Sequence, residues 1–168
     1  CEPTLGMNDK AIAVDKGENF IAVTHHRVHN DTDNHVLLYS AEILLFSKRE
    51  NVTRTISTNK SKEYSRQWSF RSLAFANNQL IAGSPDLEFT EPKSGTMERE
   101  YYGNNSYVDT FDLSGSHLNV LKAKDATPGN FYGTELEVSG DENTLIIMSP
   151  AQDHKIGAAY RYNFIDGT

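Results

Sequence analysis

The chain has a single cysteine, Cys1, among 168 residues, so it forms no internal disulfide and gives no reading of its redox compartment. Nowhere does it approach the ~20 consecutive apolar residues that a membrane-crossing helix needs. It also lacks an excess of basic residues. Lys and Arg number 16 against 23 Asp and Glu, a net charge of −7. That balance argues against a nucleic-acid binder, which needs a basic face to neutralise phosphates. The acidity is uneven: residues 85–142 carry four Lys/Arg against twelve Asp/Glu. Such a field serves solubility or draws a cationic partner.

The motifs of common enzymes are missing as well. There is no Gly-x-Ser-x-Gly, no phosphate-binding P-loop, no Gly-x-Gly-x-x-Gly and no His-Glu-x-x-His. Carboxylates gather between Asp86 and Glu100, but a segment of unreadable shape assigns no acid–base pair. An enzyme is therefore the less favoured reading, although a site shared between repeats would leave no local motif.

What the sequence does contain is a repeat. Its clearest copy runs from Thr134 to Tyr162. Leu136 and Val138 alternate with polar neighbours, as a half-buried strand does. Ser139 to Asn143 is a turn cluster, Leu145 to Met148 a short apolar run, and Pro150 ends it because proline cannot donate to a sheet ladder. Gly157 to Tyr162 is extended again. Ala11 to His25 and Ser72 to Pro85 carry the same order of strand, turn and apolar run. In this reading Phe20-Ile21-Ala22-Val23 aligns with Leu80-Ile81-Ala82-Gly83 and Leu145 to Met148. Third strands follow, each ending in an aromatic: Phe46, Phe111 and Tyr162. Fourth strands are expected at Val52 to Ile56 and Leu118 to Ala123.

The copies recur with a period of about 60 residues and three to four strands each; repeats of ~40–50 residues with four strands mark propeller blades, and such sheets must stack because one sheet cannot bury both its faces. The expected fold is all-β: about three β-propeller blades of three to four antiparallel strands, over residues 7–57, 68–123 and 131–168 of one segment spanning 1–168. Propellers have four or more blades. The ring is then expected to close with the rest of a longer chain or with other copies, two of which would give six blades. A β-sandwich is the bland alternative, since it too alternates strands with turn clusters.

The copies resemble FG-GAP repeats, the blades of integrin α-subunit-like propellers. Phe131-Tyr132-Gly133, the turn at Gly140-Asp141, Met148-Ser149-Pro150 and Gly157 through Tyr162 carry the likeness in the third copy. The second keeps Gly83-Ser84-Pro85 but has Ser69-Phe70 where Phe-Gly would stand, and the first is degenerate at Val23-Thr24-His25. The resemblance implies an extracellular or cell-surface binding and adhesion module. Family members often hold calcium in an Asp-x-Asp-x-Asp-Gly loop. None of the three turns here has that spacing, so calcium is not carried over.

Several residues stand out as site candidates. Asp86 to Asn105 is the longest insertion, and long loops on rigid scaffolds are where binding surfaces are built. Asp86, Glu88, Phe89, Glu91, Tyr101 and Tyr102 are its candidate contacts with a protein or glycan partner. A solvated loop without function is the competing reading. Thr24 to His35, read as a loop, holds four of the six histidines and two aspartates. His25, His29, Asp31 and Asp33 are the candidate ligands of a divalent metal such as zinc, and Arg27 among them argues the other way. An enzyme or metal-dependent module using the His/Asp-rich loop 25–35, and a purely architectural segment of a larger assembly, are the alternatives to the binding module. Asn30, Asn51, Asn59 and Asn104 begin glycosylation sequons, usable if the source is a secreting eukaryote. Cys1 fits either a lipid anchor on a processed chain or a cut boundary.

Overall fold

A computed structural model describes residues 11–31, 36–57, 70–85, 106–125, 130–151 and 156–164, with backbone alone for 26–31 and 36–40. These residues form eleven strands. The first sheet is β1 (Ile12–Val14), β2 (Phe20–Asp31), β3 (Val36–Ser47) and β4 (Val52–Ser57). The second is β5 (Ser72–Ala76), β6 (Gln79–Ser84), β7 (Tyr107–Asp112) and β8 (His117–Leu121). The third is β9 (Leu136–Val138), β10 (Thr144–Ser149) and β11 (Ala158–Asn163). Each is an antiparallel meander in chain order. The fold is all-β, with three blade-like sheets of three to four strands each and no helix among the described residues.

Local chemistry explains the turns. Asn77 and Asn78 both adopt positive φ, 48° and 58°, the two-residue geometry that suits the twist of a hairpin and that asparagine tolerates. The longer β1–β2 turn is held by Asp15, whose carboxylate accepts from the backbone N–H of Gly17 at 3.1 Å and of Phe20 at 2.5 Å. Between β7 and β8, Asp112 accepts from Ser114 Oγ and from the backbone of Ser114 and Ser116.

The sheets stack in chain order, and β5 lies beside both β1 and β9. One core fills the space between the first two sheets: Ala22, Ile43, Leu45 and Ile56 meet Leu80, Ala82 and Phe111, with Phe70 closing it. Another lies between the second and third, where Ile81, Val108 and Leu121 meet Leu145, Ile147 and Tyr132. Each buried Leu, Ile or Phe contributes roughly 1.5–3 kcal/mol by leaving water. Phe70 enters the second sheet fully buried and edge-on to Phe111, their centroids 6.3 Å apart. The middle sheet is thus covered on both faces.

Two expectations are corrected. Thr24 to His35 is not a loop through its length: β2 and β3 pair continuously from Phe20↔Ser47 to Asp31↔Val36. Polar residues without alternation read as loop, but the partner segment from Val36 to Ala41 is rich in strand formers and supplies the ladder. The second correction is one of register. Ile12 pairs with Val23, Leu73 with Ala82 and Leu136 with Ile147. The terminal aromatics Phe46, Phe111 and Tyr162 pair with Ile21, Leu80 and Leu145. Val23, not Ala22, is therefore the counterpart of Ala82 and Ile147. A four-residue apolar run carries no phase, and a slip of one residue moves every side chain to the other face.

Candidate functional site

Antiparallel meanders sort the connections by end. The tight turns from first to second strand (14–20, 76–79 and 138–144) lie at one end of the stack, and the connections from second to third strand (31–36, 84–107 and 149–158) leave from the other.

At the tight-turn end the three turns meet around a cleft of about 260 Å³. Asp15, Lys16, Gly17 and Asn19 come from the first sheet, Phe75, Ala76, Asn78 and Gln79 from the second with Leu113, and Glu142 from the third. Hydrogen bonds tie the turns together. The Lys16 ammonium donates to the Gly140 carbonyl at 2.9 Å, and the Asn77 N–H donates to Glu142 Oε2 at 3.0 Å. Asp141 is occupied inside its own turn by Ser139 Oγ, at 2.6 Å, and by the N–H and side-chain amide of Asn143. The hydroxyl of Ser139 is the largest influence holding that carboxyl below its ordinary 3.8. Among the described residues lining the cleft there is no Ser, Cys or His, so no side-chain nucleophile of those kinds faces it. Its amides, ammonium and carboxylates suit hydrogen bonding to a small polar group.

The long-connection end carries the binding candidates. Asp86, Glu88, Phe89, Glu91, Tyr101 and Tyr102 lie outside the described residues. Their anchors are described: Ser84 and Pro85 before the insertion and Ser106 after it are all buried. The insertion therefore starts and ends on packed strands, β6 and β7, which pair from Gln79↔Asp112 to Ser84↔Tyr107.

Three of the four proposed metal ligands lie on one strand. His25, His29 and Asp31 all sit in β2, and Asp33 lies outside the described residues. At ~3.3 Å per residue, His25 and His29 are about 13 Å apart and His25 and Asp31 about 20 Å. His25 therefore does not share one ion with Asp31. Among the described residues no three His, Cys, Asp or Glu gather as a metal cage. Of the sequon asparagines, Asn51 is exposed in the β3–β4 turn, Asn30 sits in β2 with only its backbone described, and Asn59 and Asn104, like Cys1, lie outside the described residues.

Two features escape the sequence reading. The cleft is one, because its parts come from turns more than sixty residues apart in the chain, bridged by Asn77–Glu142 and Lys16–Gly140. The other is Asp109 in β7, buried and 2.9 Å from His117 Nε2 on β8, whose ring stands edge-on to Phe111. Only the β7–β8 register brings that pair together. No helix among the described residues is long and apolar enough to cross a membrane. Comparison with protein-family models, curated proteins and solved structures finds no match to this chain.

Proposed function

We propose that this chain is a propeller-type binding module that presents its inter-strand connections to a protein or glycan partner, outside the cell or at its surface. One observation supports the reading above others: the second-to-third-strand connections of all three stacked sheets leave from one end of a packed scaffold. Sheets buried against each other fix where the connections start, and connections of that kind are where recognition is usually placed. The insertion between Ser84 and Ser106 is the longest of them, and its Tyr101 and Tyr102 are of the residue type that anchors interfaces. In this reading the FG-GAP likeness of the third repeat reflects a shared blade design and a shared use in adhesion.

The test is an array of glycans and extracellular-matrix proteins probed with the intact chain and with a variant whose residues 87–104 are replaced by a short Gly-Ser linker. The reading expects binding that the replacement abolishes while the melting temperature stays within a few degrees. Binding that survives the replacement would remove the insertion from the site. No binding by the intact chain to any array member would count against the module itself.

A further inference from the structure

The corrected register gives each sheet two distinct faces. Call the face holding Leu80 and Ala82 in the second sheet, and Leu145 and Ile147 in the third, the head. Each of these heads is buried against the sheet before it in the chain. The opposite face is the tail: Ala22, Ile43 and Leu45 in the first sheet, Ile81 and Val108 in the second, each covered by the next sheet's head. The head-to-tail contact is thus made twice within the chain by equivalent positions.

One head and one tail face no described sheet. The uncovered head belongs to the first sheet, where the equivalent positions are Ile12, Val14, Ile21, Val23, Leu44 and Phe46. Ile12 is 64% exposed, Val14 53% and Ile21 38%. They are as apolar as the buried heads, and a contiguous apolar face of this kind marks an interaction surface. The uncovered tail belongs to the third sheet. Ile146, Met148 and Ala159 stand where Ala22, Thr24 and Ile43 stand in the first, with Glu137 and Arg161 on either side of Ile146.

We propose that a second copy of this chain covers the first sheet's head with its own third sheet's tail, and offers its own head to the first copy's tail in return. The surface that fits a head is a tail, as both internal contacts show, and the described sheets leave one of each without a sheet against it. Two identical heterologous contacts related by a twofold axis close a ring. Six blades lie within the range that propellers adopt. This inference concerns assembly and stands whether or not the long connections bind a partner.

The experiment is light scattering on the intact chain, with Ile12→Asp on the head and Met148→Asp on the tail. Both positions are exposed enough to take a carboxylate without unfolding the sheet, and circular dichroism and melting of each variant verify that. The expected mass is twice 18.8 kDa for the unaltered chain and 18.8 kDa for either variant. An equimolar mixture of the two variants restores a pair, because one unaltered head then meets one unaltered tail. A monomeric unaltered chain, or an unbounded polymer, overturns the proposal. So does a dimer broken by Ile12→Asp and indifferent to Met148→Asp, which would mean head against head.

Discussion

At the residue scale, two tyrosines behave unlike the rest for reasons of place. Tyr132 and Tyr160 stand edge to face, centroids 5.2 Å apart, beside the second core. Burial raises the Tyr132 phenol well above its ordinary 10.0, with the charge of Tyr160 adding to it. Tyr160 is pushed up to about 12, first by desolvation, then by the hydrogen bond to Asp125 Oδ1 and that carboxylate's charge. Both pKa values are higher folded than unfolded. Their contribution to stability is therefore complete below pH 10.0 and disappears as the pH rises from there, through about 12 for Tyr160. Tyrosinate absorbance of the folded chain is expected to show at least two of the eight tyrosines ionising late, and Asp125→Asn is expected to bring Tyr160 down. A single ionisation of all of them near pH 10 would contradict this. Asp112 has the opposite sign. The hydrogen bond from Ser114 Oγ is the largest influence lowering its pKa, so its contribution is present above 3.8 and vanishes as the pH falls through its lower folded value. Carbon-13 NMR of the carboxyl groups checks it: Asp112 titrates below an ordinary aspartate, and Ser114→Ala moves it back up.

At the element scale, the second sheet depends on how its entry is held. Phe70 adopts φ 60° three residues before Leu73, and Gly133 adopts φ 86° three residues before the equivalent Leu136. A phenylalanine keeps that strained backbone because its ring is wholly buried against Phe111. Phe70→Ala is expected to reduce stability by about 4 kcal/mol in urea denaturation; a loss under 1 kcal/mol would remove Phe70 from the core. Ser72→Ala is expected to take away about 1 kcal/mol, since Ser72 Oγ donates to the Gly133 carbonyl at 2.7 Å across the inter-sheet contact.

The elements also show how far the sequence speaks. Alternation and turn residues locate the outer strands almost to the residue: β4 spans Val52–Ser57 and β8 His117–Leu121, where the pattern places 52–56 and 118–123. Leu136 and Val138, separated by one polar residue, announce both a strand and the face it buries. Phe20 to Val23 announces a strand but not its face, because an unbroken apolar run fits either phase. The extended β2–β3 ribbon is invisible from Thr24 to Asp31 alone, since its pairing depends on Val36 to Ala41. The cleft is beyond sequence reasoning altogether, as it exists only once three turns are stacked.

At the scale of the whole molecule, three sheets stack closely enough for backbone to approach backbone. One such approach is at Gly83 of β6, where an added Cβ would lie 2.0 Å from the Gly133 carbonyl oxygen and 2.3 Å from Ser72 Oγ. Rigid backbone on the far side leaves little room to yield, so the stack itself must open. Gly140, in the β9–β10 turn, has nothing within 4 Å of the same added carbon and serves as the control. Thermal unfolding of Gly83→Ala beside Gly140→Ala is therefore the most direct measurement. Gly83→Ala is expected to lose about 3 kcal/mol, a fall of roughly 10 °C in the midpoint, and Gly140→Ala to show no significant change. Equal midpoints for the two variants and the unaltered chain would mean that the second sheet and the entry to the third do not meet at Gly83, and would contradict the stacked architecture.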